Sequence, residues 1–322
     1  AITGGPCSGK SDSMKALKLT LEELGYIVLT VPESATILIN RGIKPENIGW
    51  VEFQAKVLDL SFRNERRATM KAILLRNLGY KVVILCDRGL LDGEAYVDSL
   101  GKWADMLRRR GLDNHVLGNQ SHHLVIHLVT TADGAEDVFE RQRKNNDARR
   151  ESTVEHAIKV DRDTERANRS HHHRRRVPNR NGGMNEKIAD IIAEVRATIG
   201  DPEPIECEHK FVIHPIAFCD IPAEANPHMV HIMQTYLLPP KGGRKGETHR
   251  LRIERDLDGS GVTYWFTRKW DVENPGERGE SNRVITRRMY NKLLRRSDPA
   301  YDTIYKHRIR FMQDCQLFEI DA

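Results

Sequence analysis

The sequence predicts two domains of different class: an α/β domain whose parallel sheet carries helices on both faces, then an α+β domain built on an antiparallel barrel. Two observations predict the first. The stretch "GGPCSGKS" at residues 4–11 sits between the remnant of a strand and a helical pattern, and strand patterns then alternate with helical ones. One observation predicts the second: after "GDPEP" at residues 200–204 come short β-type segments with charges at alternate positions. At 322 residues the chain is long enough for two cores. The expected bounds are 1–199 and 203–322.

The opening loop fits GxxxxGK[ST] through Gly4, Gly9, Lys10 and Ser11. Its glycines, Gly5 among them, let the backbone N–H groups around Cys7 and Ser8 curl about phosphate oxygens. Lys10 reaches the outer phosphates, Ser11 ligates Mg²⁺, and the dipole of the helix "DSMKALKLTLEELG" favours the anion. Next, "YIVLTVPES" is an apolar strand ending in Glu33 and followed by a helix; "YKVVILCDRGLLDGEAY" delivers Asp87 and Arg88 from the end of a buried strand; "HHLVIHLVTTA" is a further strand. In such a sheet ligands gather at the strands' carboxyl ends, where Glu33 and Asp87 emerge. Asp87 is the expected acid for Mg²⁺, and Glu33 a second metal contact or a base towards a phosphoryl acceptor. The ordinary alternative makes either one a helix cap.

Charge is unevenly placed. Residues 1–200 hold 32 basic against 27 acidic residues, the remainder 19 of each, and residues 141–180 alone hold 13 against 6. That segment should seek phosphate, and Arg143, Arg149 and Arg150 are candidates for a lid that closes over it. The ordinary alternative is a solvated helix face. "HHH" at 171–173 reads as a loop contact, since consecutive residues cannot converge on one ion. Nucleic acid is not expected, because base-stacking aromatics are missing from the basic segment. Five cysteines, an odd number, widely spaced and without CxxC, lead us to expect neither a disulfide framework nor a zinc site, and to expect a reducing, cytosolic setting. Both ends of the sequence fall within strand patterns, so it reads as a piece of a longer chain.

The first half resembles P-loop domains of the NadR-like, AAA-related kind, which are similar to nucleoside and nucleotide kinases. "GGPCSGKS", "VPESAT" with Glu33, "DRGLLDGEAY" with Asp87 and Arg88, and Asn179 of "VPN" before the helix "EKIADIIAEV" carry the resemblance. It implies that Glu33 acts on an acceptor and Arg88 on substrate or phosphate. No NKxD or other base-reading signature separates GTP from ATP.

The second half opens on "IECEHKFVI", where Glu206, Glu208 and Lys210 alternate. In an extended chain these share one face. Later segments repeat the device: Arg250 and Arg252; Thr267 and Lys269; Lys306, Arg308 and Arg310; Glu319 and Asp321. An antiparallel barrel with a charged interior accommodates such strands, cations surrounding polyphosphate while acids hold a divalent ion. Glu206, Glu208 and Lys210 form ExExK, and "QTYL", "RLRI", "YWFTRK", "TRRMYNKLL", "KHRIRF" and "FEID" follow in order. The region therefore resembles CYTH, or triphosphate-tunnel, domains. That likeness implies Mg²⁺ or Mn²⁺ on Glu206 and Glu208, and phosphate on Lys210, Arg250, Arg252, Lys269, Lys306 and Arg308. Glu280 and Glu319 are further acid candidates. Tunnel enzymes usually continue with more strands and a late acidic pair, so the tunnel reads as truncated at its C-terminal end.

The two modules in this order resemble the TRPL translocation defect protein family, described as GTP-binding and phosphoinositide-binding; plant tunnel enzymes with a uridine-kinase-like domain are a more distant likeness. The resemblance implies a Mg²⁺-dependent purine nucleotide (GTP or ATP) binding protein whose second domain takes a phosphate-rich ligand, a phosphoinositide or polyphosphate, with a regulatory or trafficking role and peripheral membrane contact. The alternative is a bifunctional small-molecule kinase and metal-dependent triphosphatase.

Overall fold

The computed structural model describes residues 1–144, 153–180, 183–200, 205–206, 211–214, 216, 218–238, 244–257, 261–272, 278–314 and 316–322. The chain divides into two compact units, Ala1–Glu194 and Val195–Ala322. No helix among the described residues is long and apolar enough to cross a membrane.

The first unit runs β1 (Ile2–Gly4), α1 (Lys10–Glu23), β2 (Tyr26–Val31), α2 (Ser34–Asn40), α3 (Pro45–Ile48), α4 (Trp50–Asn77), β3 (Lys81–Cys86), a 3-10 turn (Asp92–Tyr96), α5 (Leu100–Arg108), α6 (Asn114–Gln120), β4 (Val125–Leu128), α7 (Glu136–Lys144), α8 (Val154–Ala167), β5 (Arg174–Val177) and most of α9 (Gly183–Ile199), whose end belongs to the second unit. β1 pairs with β4, β4 with β5 and β2 with β3, all in parallel. A parallel bridge between Ile2 and Asp87 joins the two pieces, and Arg88 N donates to Ile2 O at 3.0 Å. The strand order is thus β2-β3-β1-β4-β5, the parallel sheet that the strand–helix alternation predicts. Because β1 is central, the loop after it emerges at the middle of the carboxyl edge, between the ends of β3 and β4. β4, with neighbours on both sides, is buried throughout.

α1 buries Ser13, Leu17 and Leu21, four residues apart, as an amphipathic helix must. Two elements differ from expectation. α4 runs for 28 residues where only a helix directly after Glu33 is anticipated; Gly49, at φ +81°, separates it from α3. It packs Ala55 and Leu58 against Leu91, Trp103 and Leu107. The basic stretch that follows the three histidines, for which no strand is anticipated, forms β5. Arg174 and Val177 are buried there, while Arg175 and Arg176 lie near Glu194 (3.6 Å) and Glu165 (3.4 Å). Acids on neighbouring helices let arginines occupy a strand that shows no apolar alternation.

The second unit contains β6 (Ile205–Glu206), β7 (His228–Leu237), β8 (Thr248–Asp256), β9 (Val262–Asp271), β10 (Arg278–Ile285), α10 (Arg287–Leu294), β11 (Ile304–Gln313) and β12 (Gln316–Asp321). These strands form one sheet in the order β12-β11-β7-β8-β9-β10-β6, with antiparallel pairing at every step. One face packs Leu237, Leu251, Ile253 and Phe266 under Tyr290 of α10. The other face bears the alternating charges and is nevertheless enclosed: Val230, Glu254, Trp265 and Arg310 are each at most 1% exposed. A curled sheet encloses a face in this way, and the arrangement is compatible with a barrel-like domain. Of the stretch 205–213, Ile205 and Glu206 pair with Gly279 and Arg278; residues 207–210 lie outside the described residues, and Phe211, Val212 and Ile213 are exposed and outside any strand.

Candidate functional site

Backbone conformation shapes the loop after β1. Gly4 has φ +138° and Gly9 φ +87°, both in the region that favours glycine. A Cβ on Gly4 would stand 2.1 Å from Leu128 O, and one on Gly5 2.6 Å from Asp161 Oδ1, so the close packing also requires glycine. Cys7, between them, takes φ +56°. Ser8 is buried and Ser11 exposed in the first turn of α1. Lys10 curls back over the loop: its Nζ donates to Gly5 O (2.7 Å), Gly4 O (3.0 Å) and Ser8 Oγ (3.2 Å). Burial, then the neighbouring Arg88, brings this ammonium down to about 8.

Glu33, Asp87 and Arg88 come together beside the loop. Arg88 has φ +84°, uncommon without glycine. Its Nε donates to Glu33 Oε1 (3.2 Å), its Nη1 donates to Gly4 O (2.9 Å), and Nη1 stands 3.7 Å from Asp92 Oδ2. Glu33 occupies the N-cap position of α2 but makes no side-chain capping bond; its Oε2 accepts from Thr36 Oγ1 at 2.6 Å. No helix begins at Asp87. Asp87 Oδ1 is buried without a hydrogen-bond partner, and burial, then Glu33, raises this carboxyl above its ordinary range. An orphaned carboxylate oxygen at the sheet's carboxyl edge fits a divalent cation. A pocket opens alongside, lined among others by Glu33, Gln54, Ser61, Arg88, Asp92 and Trp103.

Several residues that build this edge escape sequence reading. Asp92 is buried and accepts from Thr3 Oγ1 and from Asn168 Nδ2 (2.9 Å), tying β1, the 3-10 turn and α8 together. Asp161 of α8 accepts from Gly5 N (2.7 Å) and Thr130 N (3.1 Å), and lies 3.3 Å from His127 Nε2. The signal was present: Asp161 shares a buried stripe with Ala157, Val160, Thr164 and Ala167, where an acid needs a partner. Thr131 Oγ1 donates to Cys7 O at 3.0 Å. Asn179 Nδ2 donates to Thr130 O (2.8 Å) and Asp133 O (2.6 Å), and Lys187 Nζ to Asn179 Oδ1 (3.0 Å). Asn179 therefore holds the segment that braces the phosphate loop.

Of the lid candidates, Arg143 pairs with Glu140 of its own helix (2.9 Å), and Arg149 and Arg150 lie outside the described residues. Of the three histidines, His171 and His172 stack with ring centroids 4.8 Å apart, while His171 Nε2 meets His122 O at 2.9 Å and His173 Nε2 meets Glu194 at 3.3 Å.

On the enclosed face of the second unit, the predicted cations meet acids. Arg310 reaches across β7 to Glu254 (2.7 Å) and also to Glu319 (2.9 Å). Arg252 meets Glu254 at 3.1 Å, and Arg308 meets Asp321 at 2.6 Å and Glu319 more closely. Lys306 pairs with Asp321; Lys269 (2.8 Å) and Arg250 (3.6 Å) pair with Glu280. Burial lowers the Arg252 guanidinium to about 10. Burial would raise the Glu319 carboxyl, but Arg310 and Arg308 outweigh it and hold it below its usual range. The register sets Glu206 opposite Arg278, whereas Glu208 and Lys210 lie outside the described residues. Glu254, at the centre of this network, was not anticipated.

No curated protein matches the chain. A family model described as an AAA domain matches residues 1–187, which takes in the phosphate loop, the ends of all five parallel strands and Asp161. More than half of the sequence lies within that match, and the chain belongs to this AAA domain family.

Proposed function

We propose that the first unit binds a purine nucleoside triphosphate, GTP or ATP, with Mg²⁺, and that the second unit binds a phosphate-rich ligand on its charged face, in a regulatory or trafficking role. The observation that supports this most is the Gly4–Gly9 turn at the centre of the sheet edge, with Lys10 folded over it. From there Lys10 can turn to β- and γ-phosphate oxygens while the loop's amides meet the phosphates. Ser11 and Asp87 would hold Mg²⁺, which supplies charge neutralisation on the phosphates. Arg143, Arg149 and Arg150 would close over the nucleotide.

For the second unit, the resemblance to CYTH domains supports phosphate contacts at Lys210, Arg250, Arg252, Lys269, Lys306 and Arg308, with Mg²⁺ or Mn²⁺ on Glu206, Glu208 and Glu319. Because the described cations are already paired, binding there is an exchange: acids turn to the divalent ion as guanidinium and ammonium groups turn to phosphate. A phosphoinositide or polyphosphate suits that chemistry, and the former gives the peripheral membrane contact implied by likeness to the TRPL translocation defect proteins.

Isothermal titration of GTP and ATP, with and without Mg²⁺, on wild type and Lys10→Ala tests the first unit. Mg²⁺-dependent binding lost on substitution is expected; equal binding by both proteins refutes the reading. A second reading, phosphoryl transfer coupled with triphosphate hydrolysis, is favoured by the pocket beside Glu33 and Arg88, where an acceptor hydroxyl could meet a carboxylate base. Phosphate release from tripolyphosphate with Mn²⁺ that disappears in Glu206→Ala supports hydrolysis in the second unit; turnover that survives the substitution places it elsewhere.

A further inference from the structure

The first unit holds a second cluster of ligating groups that the phosphate edge does not use. Glu65 lies on α4, Cys86 is the last residue of β3, and His122 lies between α6 and β4. One ligand atom from each (a carboxylate oxygen, the thiol sulfur and a ring nitrogen) lies within 4.8 Å of the other two. Cys86 is 4% exposed, the His122 side chain 8% and the Glu65 side chain 16%. His122 Nε2 is buried and makes no hydrogen bond; it stands 3.4 Å from Glu65 Oε1, close enough to attract but not bonded. The bond from His171 to the His122 carbonyl fixes the backbone that presents this ring.

A buried sulfur, an unsatisfied imidazole nitrogen and a carboxylate converging from three elements make a ligand set for a borderline-soft cation. Zinc binds such donors at about 2.0–2.3 Å, which in tetrahedral geometry sets them about 3.3–3.8 Å apart; Glu65 and His122 already stand at that spacing, and the sulfur, within 4.8 Å of both, needs to approach by about 1 Å at most. The set differs in kind from the neighbouring oxygen site. Cys86 and Asp87 are consecutive and extended residues alternate faces, so one strand end would present sulfur to one side and oxygen to the other. We propose that Glu65, Cys86 and His122 form a binding site for a thiophilic divalent cation of the zinc class, with water in the fourth position, pinning α4, β3 and the approach to β4 together. The wide spacing that speaks against a zinc motif in the sequence says nothing against ligands supplied by three separate elements.

The full chain, reduced and stripped with chelator, is titrated with Co²⁺ while the thiolate-to-cobalt charge-transfer absorption in the near ultraviolet is followed. One equivalent should develop the band, Zn²⁺ should abolish it, and excess Mg²⁺ should leave it unchanged. Cys86→Ser should lose the band, Cys219→Ser should keep it, and His122→Gln and Glu65→Gln should each weaken Co²⁺ binding by about tenfold or more. A wild-type chain without the band, or a Cys86→Ser chain that keeps it, overturns the site and leaves a His122–Glu65 ion pair beside a core cysteine. Should Cys86→Ser fail to fold, unchanged Co²⁺ affinity in both glutamine variants overturns the site equally.

Discussion

Gly4 and Arg88 show how single residues hold the phosphate edge in shape, and in opposite ways. Gly4 is needed because its conformation and the carbonyl of Leu128, 2.1 Å from any added Cβ, leave no space for a side chain. Arg88 adopts φ +84° although it is not glycine, because its guanidinium secures Glu33, the Gly4 carbonyl and Asp92 from that position. Holding a non-glycine residue there costs on the order of 1 kcal/mol. Arg88→Ala keeps that strain and loses the contacts, whereas Arg88→Gly loses the contacts and relieves the strain. Both variants should be less stable than wild type, and Arg88→Ala should be the weaker by about 1 kcal/mol in urea denaturation; equal midpoints would remove the strain argument. The glycines and Lys10 are legible in the sequence because a phosphate loop is local chemistry at fixed spacing. The conformation of Arg88 is not, because arginine carries no signal for positive φ and only the tertiary pairing enforces it.

At the scale of elements, α8 joins the loop after β1 to the loop after β4 through one carboxylate. Asp161 accepts from Gly5 N and Thr130 N while facing the buried His127. Asp161→Ala leaves two amides and an imidazole without their partner and should destabilise the first unit by about 3 kcal/mol, with weaker nucleotide binding because Gly5 is released. The pH dependence has a definite sign. Burial alone would lower the His127 imidazole, but Asp161 outweighs it and raises it. A raised group contributes stability that is fully present below its unfolded value, about 6.5, and is lost as pH rises through its folded value. Denaturation profiles should show that alkaline loss in wild type and not in Asp161→Asn; a shared profile would sink the pairing. The alternation of strands and helices was legible because buried parallel strands are apolar runs. α4 and β5 were not: α4 mixes exposed Met70, Ile73 and Leu74 into its stripe, and β5 opens on three arginines, of which Arg175 and Arg176 lie near acids from elsewhere in the chain.

At the scale of the whole molecule, the net charge of +5 resides in residues 1–200, whereas residues 201–322, with equal numbers of basic and acidic residues, turn many of them inward and match them. Alternating charges made that face legible as a face; the pairing across it was not, since Glu254 meets Arg310 over an intervening strand. An interior of this kind has a characteristic acid response. Burial alone would raise the Asp321 carboxyl, but Arg308 and Lys306 outweigh it and bring it to about 2. Glu319 is depressed as well. A depressed carboxylate contributes stability that is present above its unfolded value, about 4, and is lost as pH falls through its folded value. The second unit should therefore weaken between about pH 4 and pH 2, as protonation removes the partners of Arg308 and Lys306. Trp265 and Trp270 lie in this unit and report its unfolding in urea. Asp321→Asn should be less stable than wild type at pH 7, approach it near pH 2, and show a shallower slope between. Since the Asp321 side chain is 38% exposed, part of the difference should disappear when salt shortens the screening length to a few ångströms. An acid slope in Asp321→Asn as steep as that of wild type would place the response on other carboxylates and detach Asp321 from the network.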